Sequence, residues 1–444
     1  MLRCFLVFRQ FVDDDLGCAS YLIGDPEARE AVVIDPAYAI EQYLDAAEEE
    51  RVRIVRVLET HTHADHVSGH GRFALEHGLP VSIHPAAEPE YWFDPLDDGQ
   101  VLEVGARRIR VIHTPGHRPE HCAFVVDERA VLTGDSLFVG DAARPDLAVE
   151  AREGAHDLLH SLRRLVELPD ATEMYPGHVA GSLCGTAMSP ARSSTIGAER
   201  QANPAIALAL EDEEAFANES ASVTTPRPPT TARVVELNRG PFVGAPPPLA
   251  ELDGAGDATV LDVRPADDHA AGHLRGAISV PVSGSSFATK AGFLLDPDEQ
   301  IAIHASSRGE AEQAARGLRS VGFLELAGFF THADATEESR PLDLRELERL
   351  LTEGSAQVLD VREKSERDAG YIPGTLHIPY RLLRACGADG LDPDRPIVTI
   401  CESGARAGIA ASVLAAAGLD ARPVLHGGVD DWNGPTVSFR RCGN

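Results

Sequence analysis

Three imidazoles and a carboxylate crowd into the run Thr60-His61-Thr62-His63-Ala64-Asp65-His66. Such groups are costly to bury without a cation, and imidazole is a leading transition-metal ligand. The run follows the apolar segment 55–59. Side chains alternate along a strand, so His61 and His63 leave its end on one side, and the loop turns Asp65 and His66 back toward them. Three later segments end in the same chemistry. Thr114-Pro115-Gly116-His117 follows 110–113, Thr133-Gly134-Asp135 follows 130–132, and Tyr175-Pro176-Gly177-His178 comes after both. One His-x-His is a weak signal, whereas these loops in this order point to a metal centre. His121 lies near but fits no motif position, and reads as a structural or ligand-orienting residue.

A second chemistry sits near the other end of the chain. Cys401-Glu402-Ser403-Gly404-Ala405-Arg406-Ala407 follows the apolar strand 397–400 and precedes an Ala-rich helix over 408–417. A thiol in that loop meets inward-turned amides, a helix N-terminus and Arg406, all of which favour an anion. The expected result is a lowered thiolate pKa and an activated nucleophile.

Strands and helices must position these loops. To about residue 200, apolar runs alternate with helical periodicity: 31–35, 55–60 and 108–113 read as strands and 40–51 as a helix. The His and Asp loops then sit at strand ends on a rigid scaffold. From 211 to 248 the texture changes. An acidic run, Glu211 to Glu214, leads to Pro226, Pro228 and Pro229 and then to Pro246-Pro247-Pro248. This stretch reads as an excursion and linker outside any core, with a domain border near 243.

The chain then repeats itself. Leu261-Asp262-Val263-Arg264 recurs as Leu359-Asp360-Val361-Arg362, and Gly272-His273-Leu274-Arg275-Gly276-Ala277 is echoed by Gly370-Tyr371-Ile372-Pro373-Gly374-Thr375. Each copy reads as a small α/β domain. A helical run over 343–352 opens the second copy, so the expected domains are 1–243, 244–335 and 336–444. In the first copy Ala305 stands where Cys401 stands in the second, Glu310 takes the position of Arg406, and Arg308 displaces a loop glycine. That copy is expected to be inert in sulfur transfer and to serve as spacer, oligomer contact or docking surface.

The 444 residues are enough for two to four domains. With 70 acidic against 40 basic residues the net charge is −30. A surface of that sign repels phosphate backbones, which excludes nucleic acid as a partner class. No stretch approaches the roughly 20 apolar residues that span a bilayer. The short apolar start runs into Asp13-Asp14-Asp15, so an initial strand and a cytoplasmic protein are expected, with no membrane partner. The seven cysteines include no CxxC pair and argue for reduced thiols. Cys4, Cys18, Cys122, Cys386 and Cys442 read as small buried hydrophobes.

On the His-x-His-x-Asp-His run and the three later loops, residues 1–200 resemble the metallo-β-lactamase superfamily. On the Cys401 loop and the repeats upstream of it, about 341–440 resembles a catalytic rhodanese. The resemblance implies an α/β protein: a metallo-β-lactamase four-layer αβ/βα sandwich followed by two rhodanese-like α/β domains. Superfamily members include dizinc hydrolases such as the glyoxalase II thioesterases and mono-iron persulfide dioxygenases. Two features favour the iron branch. One is the rhodanese fusion. The other is Gly140-Asp141-Ala142-Ala143-Arg144-Pro145-Asp146-Leu147, which is similar to the Gly-x-Gly-Arg-x-Asp stretch of persulfide dioxygenases with the second glycine lost and one residue inserted.

Carried over onto this chain, the resemblance implies one Fe(II) per chain held by His61, His117 and Asp135. His63, Asp65, His66 and His178 would orient ligands or bind oxyanions; in a dizinc hydrolase these four would be ligands. Arg144 would hold a substrate carboxylate. Gly181-Ser182-Leu183-Cys184-Gly185 resembles the loop after the last histidine in bacterial dioxygenase–rhodanese fusions, and Cys184 would meet substrate sulfur at the site mouth. The implied activity is oxidation of a small thiol persulfide by O2 to sulfite and thiol. It would be coupled to transfer at Cys401 and Arg406 that makes or uses thiosulfate, in sulfide detoxification by a homo-oligomer. Two other readings stay open: a dizinc glyoxalase II-like thioester hydrolase fused to a rhodanese, and a non-enzymatic persulfide carrier or sensor.

Overall fold

The strands of the N-terminal part are apolar on both faces, and the two faces feed different cores. Along Ala19–Asp25, Tyr21 and Ile23 enter one buried cluster and Leu22 another. Along Glu30–Ile34, Val32 and Ile34 face the first cluster while Ala31 and Val33 face the second. A strand with both faces covered carries apolar residues in succession, as Tyr21-Leu22-Ile23 and Ala31-Val32-Val33-Ile34 do. The computed structural model describes residues 6–145, 150–179, 188–222, 226–387 and 389–439.

Two six-stranded sheets build this region. The first runs in chain order from Val7–Val12 to Asp94–Pro95; the second is ordered Ser194–Thr195, Glu173–Pro176, Ala130–Gly134, Cys122–Val126, Arg107–His113, Val101–Val104. Inner-face residues of both sheets, Tyr21, Ile23, Leu58, Val111, Phe124 and Leu132 among them, share one core. The outer face of the first sheet is covered by the helix Glu41–Glu50 through Tyr43 and Ala46, and by Phe73 of the helix His70–His77. The outer face of the second is covered by Ala151–Val166 through Leu158, Leu159, Leu162 and Leu165. The result is the four-layer αβ/βα sandwich, with Thr60–His66, His117, Asp135 and His178 all following strand ends.

The stretch 211–248 corrects the expectation of a linker. It forms the helices Glu213–Ser222 and Thr230–Arg239. Phe216 and Ala217 are buried, Phe216 within the core under Ala151–Val166, and Val234 is buried as well. The prolines Pro228 and Pro229 stand immediately before Thr230, where a missing N–H costs nothing because the first turn has no acceptor for it. Proline density here marks a helix start.

The chain divides into two compact units, Met1–Pro246 with Arg319–Gly322, and Pro247–Leu318 with Phe323–Asn444. The second unit holds two four-stranded parallel sheets of the same order. They are Ile278–Ser279, Thr259–Asp262, Ile301–His304, Gly328–Phe330, and Leu376–His377, Gln357–Asp360, Ile397–Ile400, Ala421–Pro423. The repeated Leu-Asp-Val-Arg is a structural device. Arg264 forks onto Asp262 at 2.9 and 2.6 Å and reaches the Gly272 carbonyl. Arg362 does the same with Asp360 at 3.0 and 2.8 Å and the Gly370 carbonyl. Among the described residues no helix is long and apolar enough to cross a membrane.

Candidate active sites

Asp35 is the anchor of the His-rich loop, and the sequence reading missed it. It follows the strand Glu30–Ile34, and its carboxylate accepts from the Thr60 amide at 2.7 Å and the Thr60 hydroxyl at 2.8 Å. Because that hydroxyl gives its one proton to Asp35, it receives the proton of His61 Nδ1, 2.8 Å away, which leaves His61 Nε2 with a free lone pair. His117 is fixed in the same tautomer: its Nδ1 donates to the backbone carbonyl of Arg144 at 2.9 Å. Burial, then the neighbouring His63 and His117, hold the His61 imidazole well below its usual pKa, so it stays neutral.

Asp135 follows the strand Ala130–Gly134. Its Oδ1 accepts from His178 Nδ1 at 2.7 Å, while its Oδ2 is buried with no hydrogen-bond partner and lies 3.7 Å from His117 Nε2. One ligand atom each from His61, His117 and Asp135 lies within 4.8 Å of the other two. An orphaned carboxylate oxygen facing imidazole lone pairs is the donor set that a bound cation completes. His121 has a definite task here. Its Nε2 accepts the Asp135 amide at 2.9 Å, and its Nδ1 donates to Thr114 Oγ1 at 2.8 Å. Burial pushes its pKa down to about 3, which preserves the acceptor lone pair. The turn admits little else: Gly134 has φ +50°, and a Cβ there would stand 2.6 Å from His121 Nε2.

The four remaining candidates divide. His63 turns away, its Nε2 lying 3.3 Å from carboxylate oxygens of both Asp35 and Glu59. Against the downward pull of burial these two acids hold the imidazole well above its usual pKa, so it stands as a cation between carboxylates. His178 bridges, with Nδ1 on Asp135 and Nε2 on Asp65 Oδ2 at 2.8 Å. Asp65 and His66 form a third group with Cys18, whose thiol donates to Asp65 Oδ2 at 3.0 Å and lies 3.6 Å from His66 Nδ1. Burial and then Asp65 push the Cys18 thiol well up, keeping it protonated. Cys18 is therefore a polar partner of the site, Cys122 a buried apolar filler, and Cys386 an exposed residue instead of the expected buried one. Cys4, Cys184 and Cys442 lie outside the described residues. Of Arg144, the described contact to the site is its backbone carbonyl on His117.

Asn238 completes the loop from the helix Thr230–Arg239. Its amide donates to the carbonyls of His63 at 2.9 Å and His66 at 2.8 Å, and its oxygen accepts the Ser68 amide at 2.8 Å. These are backbone groups that a buried loop must satisfy.

In the second unit Cys401 is buried at the end of Ile397–Ile400, and its sulfur accepts the Gly404 amide at 3.1 Å. The helix Ala405–Ala416 begins beyond Gly404, where φ is +106° and an added Cβ would collide with the Leu425 carbonyl oxygen. The sulfur thus sits at a helix start and accepts one backbone amide. Arg406 arrives with its fork occupied, donating to Glu366 through both terminal nitrogens at 2.6 Å.

In the middle copy Ala305 is buried where the thiol would stand, and Glu310 Oε2 accepts the Ser306 amide at 2.8 Å. The chain's own carboxylate fills the anion seat of that loop. Ala305→Cys in a Cys401→Ser background is accordingly expected to show no thiosulfate–cyanide sulfur transfer above background. Transfer near the parental rate would mean that Glu310 does not block the loop.

Comparison with known proteins agrees with this division. The profile of the Metallo-beta-lactamase superfamily matches residues 13–178, and that of the Rhodanese-like domain matches 246–332 and 343–435. An uncharacterized protein of Mycobacterium leprae is 33% identical over 218 residues, 43% of this chain and 93% of that one. The mitochondrial persulfide dioxygenase ETHE1 of Bos taurus is 27% identical over 246 residues, 54% of this chain and 91% of its own. Among solved structures, a metallo-beta-lactamase from Staphylococcus aureus is 28% identical with a TM-score of 0.68, over 74% of this chain and all of that one.

Proposed function

We propose, for a chain that belongs to the metallo-beta-lactamase superfamily and carries two rhodanese-like domains, an Fe(II)-dependent persulfide dioxygenase joined to a sulfurtransferase. The domain borders fall near 243 and 335. The observation that carries this reading is that His61, His117 and Asp135 each bring a ligand atom within 4.8 Å of the other two, with Asp135 Oδ2 buried and without a hydrogen-bond partner. Two imidazoles and one carboxylate suit non-haem Fe(II). The relationship to ETHE1 and the rhodanese pairing support sulfur substrates.

The net reaction is R–S–SH + O2 + H2O → R–SH + SO3²⁻ + 2 H⁺. Fe(II), held by His61, His117 and Asp135, would supply the redox chemistry between persulfide and O2. The chain's own residues do the rest. His61 and His117 present Nε2 because their Nδ1 protons are given to Thr60 and to the Arg144 carbonyl. His178 holds one Asp135 oxygen and His121 its amide, so the other oxygen is left for the metal. Arg144 would take a carboxylate of the thiol carrier. At Cys401 the thiolate accepts a sulfane sulfur and passes it on, with sulfite as acceptor giving thiosulfate.

Oxygen consumption by the Fe(II)-loaded chain on adding glutathione persulfide tests the reading. Uptake with sulfite or thiosulfate appearing is expected. Failure with glutathione, coenzyme A and cysteine persulfides alike would move the assignment to the dizinc thioester hydrolase. One observation favours that second reading: Cys18, Asp65 and His66 form another group of potential ligands within 4.8 Å. Two zinc ions per chain and no oxygen dependence would decide for it.

His178→Ala would leave Asp135 Oδ1 and Asp65 Oδ2 without their shared donor. Loss of such an orienting partner typically weakens metal binding about 10–100-fold. Chelator competition on the metal-loaded variant is expected to show that loss, and unchanged affinity would count against the orienting role.

A further inference from the structure

The charge around Cys401 differs from what the loop sequence suggests. Arg406 is the cation of the loop, placed near enough to Cys401 for the two charges to interact. Both of its terminal nitrogens are already given to Glu366, and Glu402 lies 3.5 Å from one of them. Glu366 is itself pinned, because its Oε2 also accepts the Glu363 amide at 2.9 Å at the start of the helix Lys364–Ala369. The neighbouring Arg381 is tied by its Nε, which donates to the Glu363 carboxylate at 3.0 Å. Three carboxylates, Glu363, Glu366 and Glu402, thus surround two guanidiniums. A dianion approaching the sulfur finds the loop's own cation, Arg406, with both terminal nitrogens already committed.

We propose that Glu366, by clamping Arg406, sets the donor class of the transfer loop: an organic persulfide, R–S–SH, is preferred over the thiosulfate dianion. The proposal rests on the reading of Cys401 as sulfur acceptor. With a persulfide, the thiolate attacks the outer sulfur, the S–S bond breaks and the carrier leaves as thiolate: Cys401–S⁻ + R–S–SH → Cys401–S–SH + R–S⁻. With thiosulfate the leaving group is sulfite: Cys401–S⁻ + S–SO3²⁻ → Cys401–S–S⁻ + SO3²⁻. Two negative charges then collect beside Glu366 and Glu402, and a committed arginine offsets them less than an open one. Glu366 is a positioning residue, acting through Arg406.

The test is steady-state sulfur transfer to cyanide by the full-length chain, from thiosulfate and from glutathione persulfide in parallel. In Glu366→Gln, the ratio of kcat/KM for thiosulfate to that for the persulfide is expected to rise about tenfold, the size of one freed charge-assisted contact. The glutamine oxygen can still accept the Glu363 amide, so the helix start survives. Glu402→Gln, at a side chain 52% exposed, is the second variant. It should move the ratio the same way by about two- to threefold. A ratio within about twofold of the parent in both variants, with Cys401-dependent transfer intact, overturns the inference and leaves the sulfur-transfer reading standing. Absence of Cys401-dependent transfer from either donor in the parent chain overturns both.

Discussion

His117→Ala is expected to strip the metal from the chain and to lower persulfide-dependent oxygen uptake by at least about a thousandfold, since the redox chemistry belongs to the ion. The magnitude follows from how few donors the site has. Among the described residues His61, His117 and Asp135 bring ligand atoms together there, and removing one imidazole leaves a single nitrogen and a single carboxylate. His63 is held between Asp35 and Glu59, and both nitrogens of His178 are engaged by carboxylates. His121 is spent on the Asp135 amide. The variant also leaves the Arg144 carbonyl without the proton of His117 Nδ1, a modest loss for a half-buried group. Metal analysis after purification and an oxygen electrode read the two effects separately. Full iron occupancy in the variant would mean that the ligand assignment is wrong.

Cys401→Ser should abolish sulfur transfer and spare oxygen uptake. A serine hydroxyl can accept the Gly404 amide that the sulfur accepts, so the loop retains its geometry. It cannot ionise near neutral pH and does not form a persulfide, so the chemistry disappears with the sulfur. The candidate metal ligands lie in the other compact unit, Met1–Pro246 with Arg319–Gly322, which contains its own core. The prediction is checked by measuring thiosulfate–cyanide transfer and persulfide-dependent oxygen uptake on one preparation. Equal loss of both would refute the separation of the two chemistries.

Much of both sites was legible because their chemistry is carried by residue types in local spacing. His61 precedes Asp135 by a long stretch, yet each stands just past an apolar run, and strands of this kind bring their ends to one edge of a sheet. The Cys401 loop lies wholly between a strand and a helix, so its amide and helix start could be inferred from neighbours in the chain. The duplicated Leu-Asp-Val-Arg likewise foretold two copies, because the arginine folds back on an aspartate two residues away. The stretch 211–248 misled for the same reason: its local composition is that of a linker, and what makes it core is Phe216 packing beneath another helix.

The sequence by itself determined which groups could do chemistry, the order of the elements that carry them, and the missing cysteine of the middle copy. These follow from side-chain identity and from contacts a few residues long. Only the tertiary structure decided which way each group faces. Cys18 meets Asp65 across 47 residues, Asn238 ties down His63 across 175, and Glu366 claims Arg406 across 40. It also decided that His63 turns from the cluster toward Asp35 and Glu59, and that His178 spans two carboxylates. Buried charges are stable only when paired, and the pairing depends on what the packed elements bring within about 3 Å, which spacing along a chain does not encode.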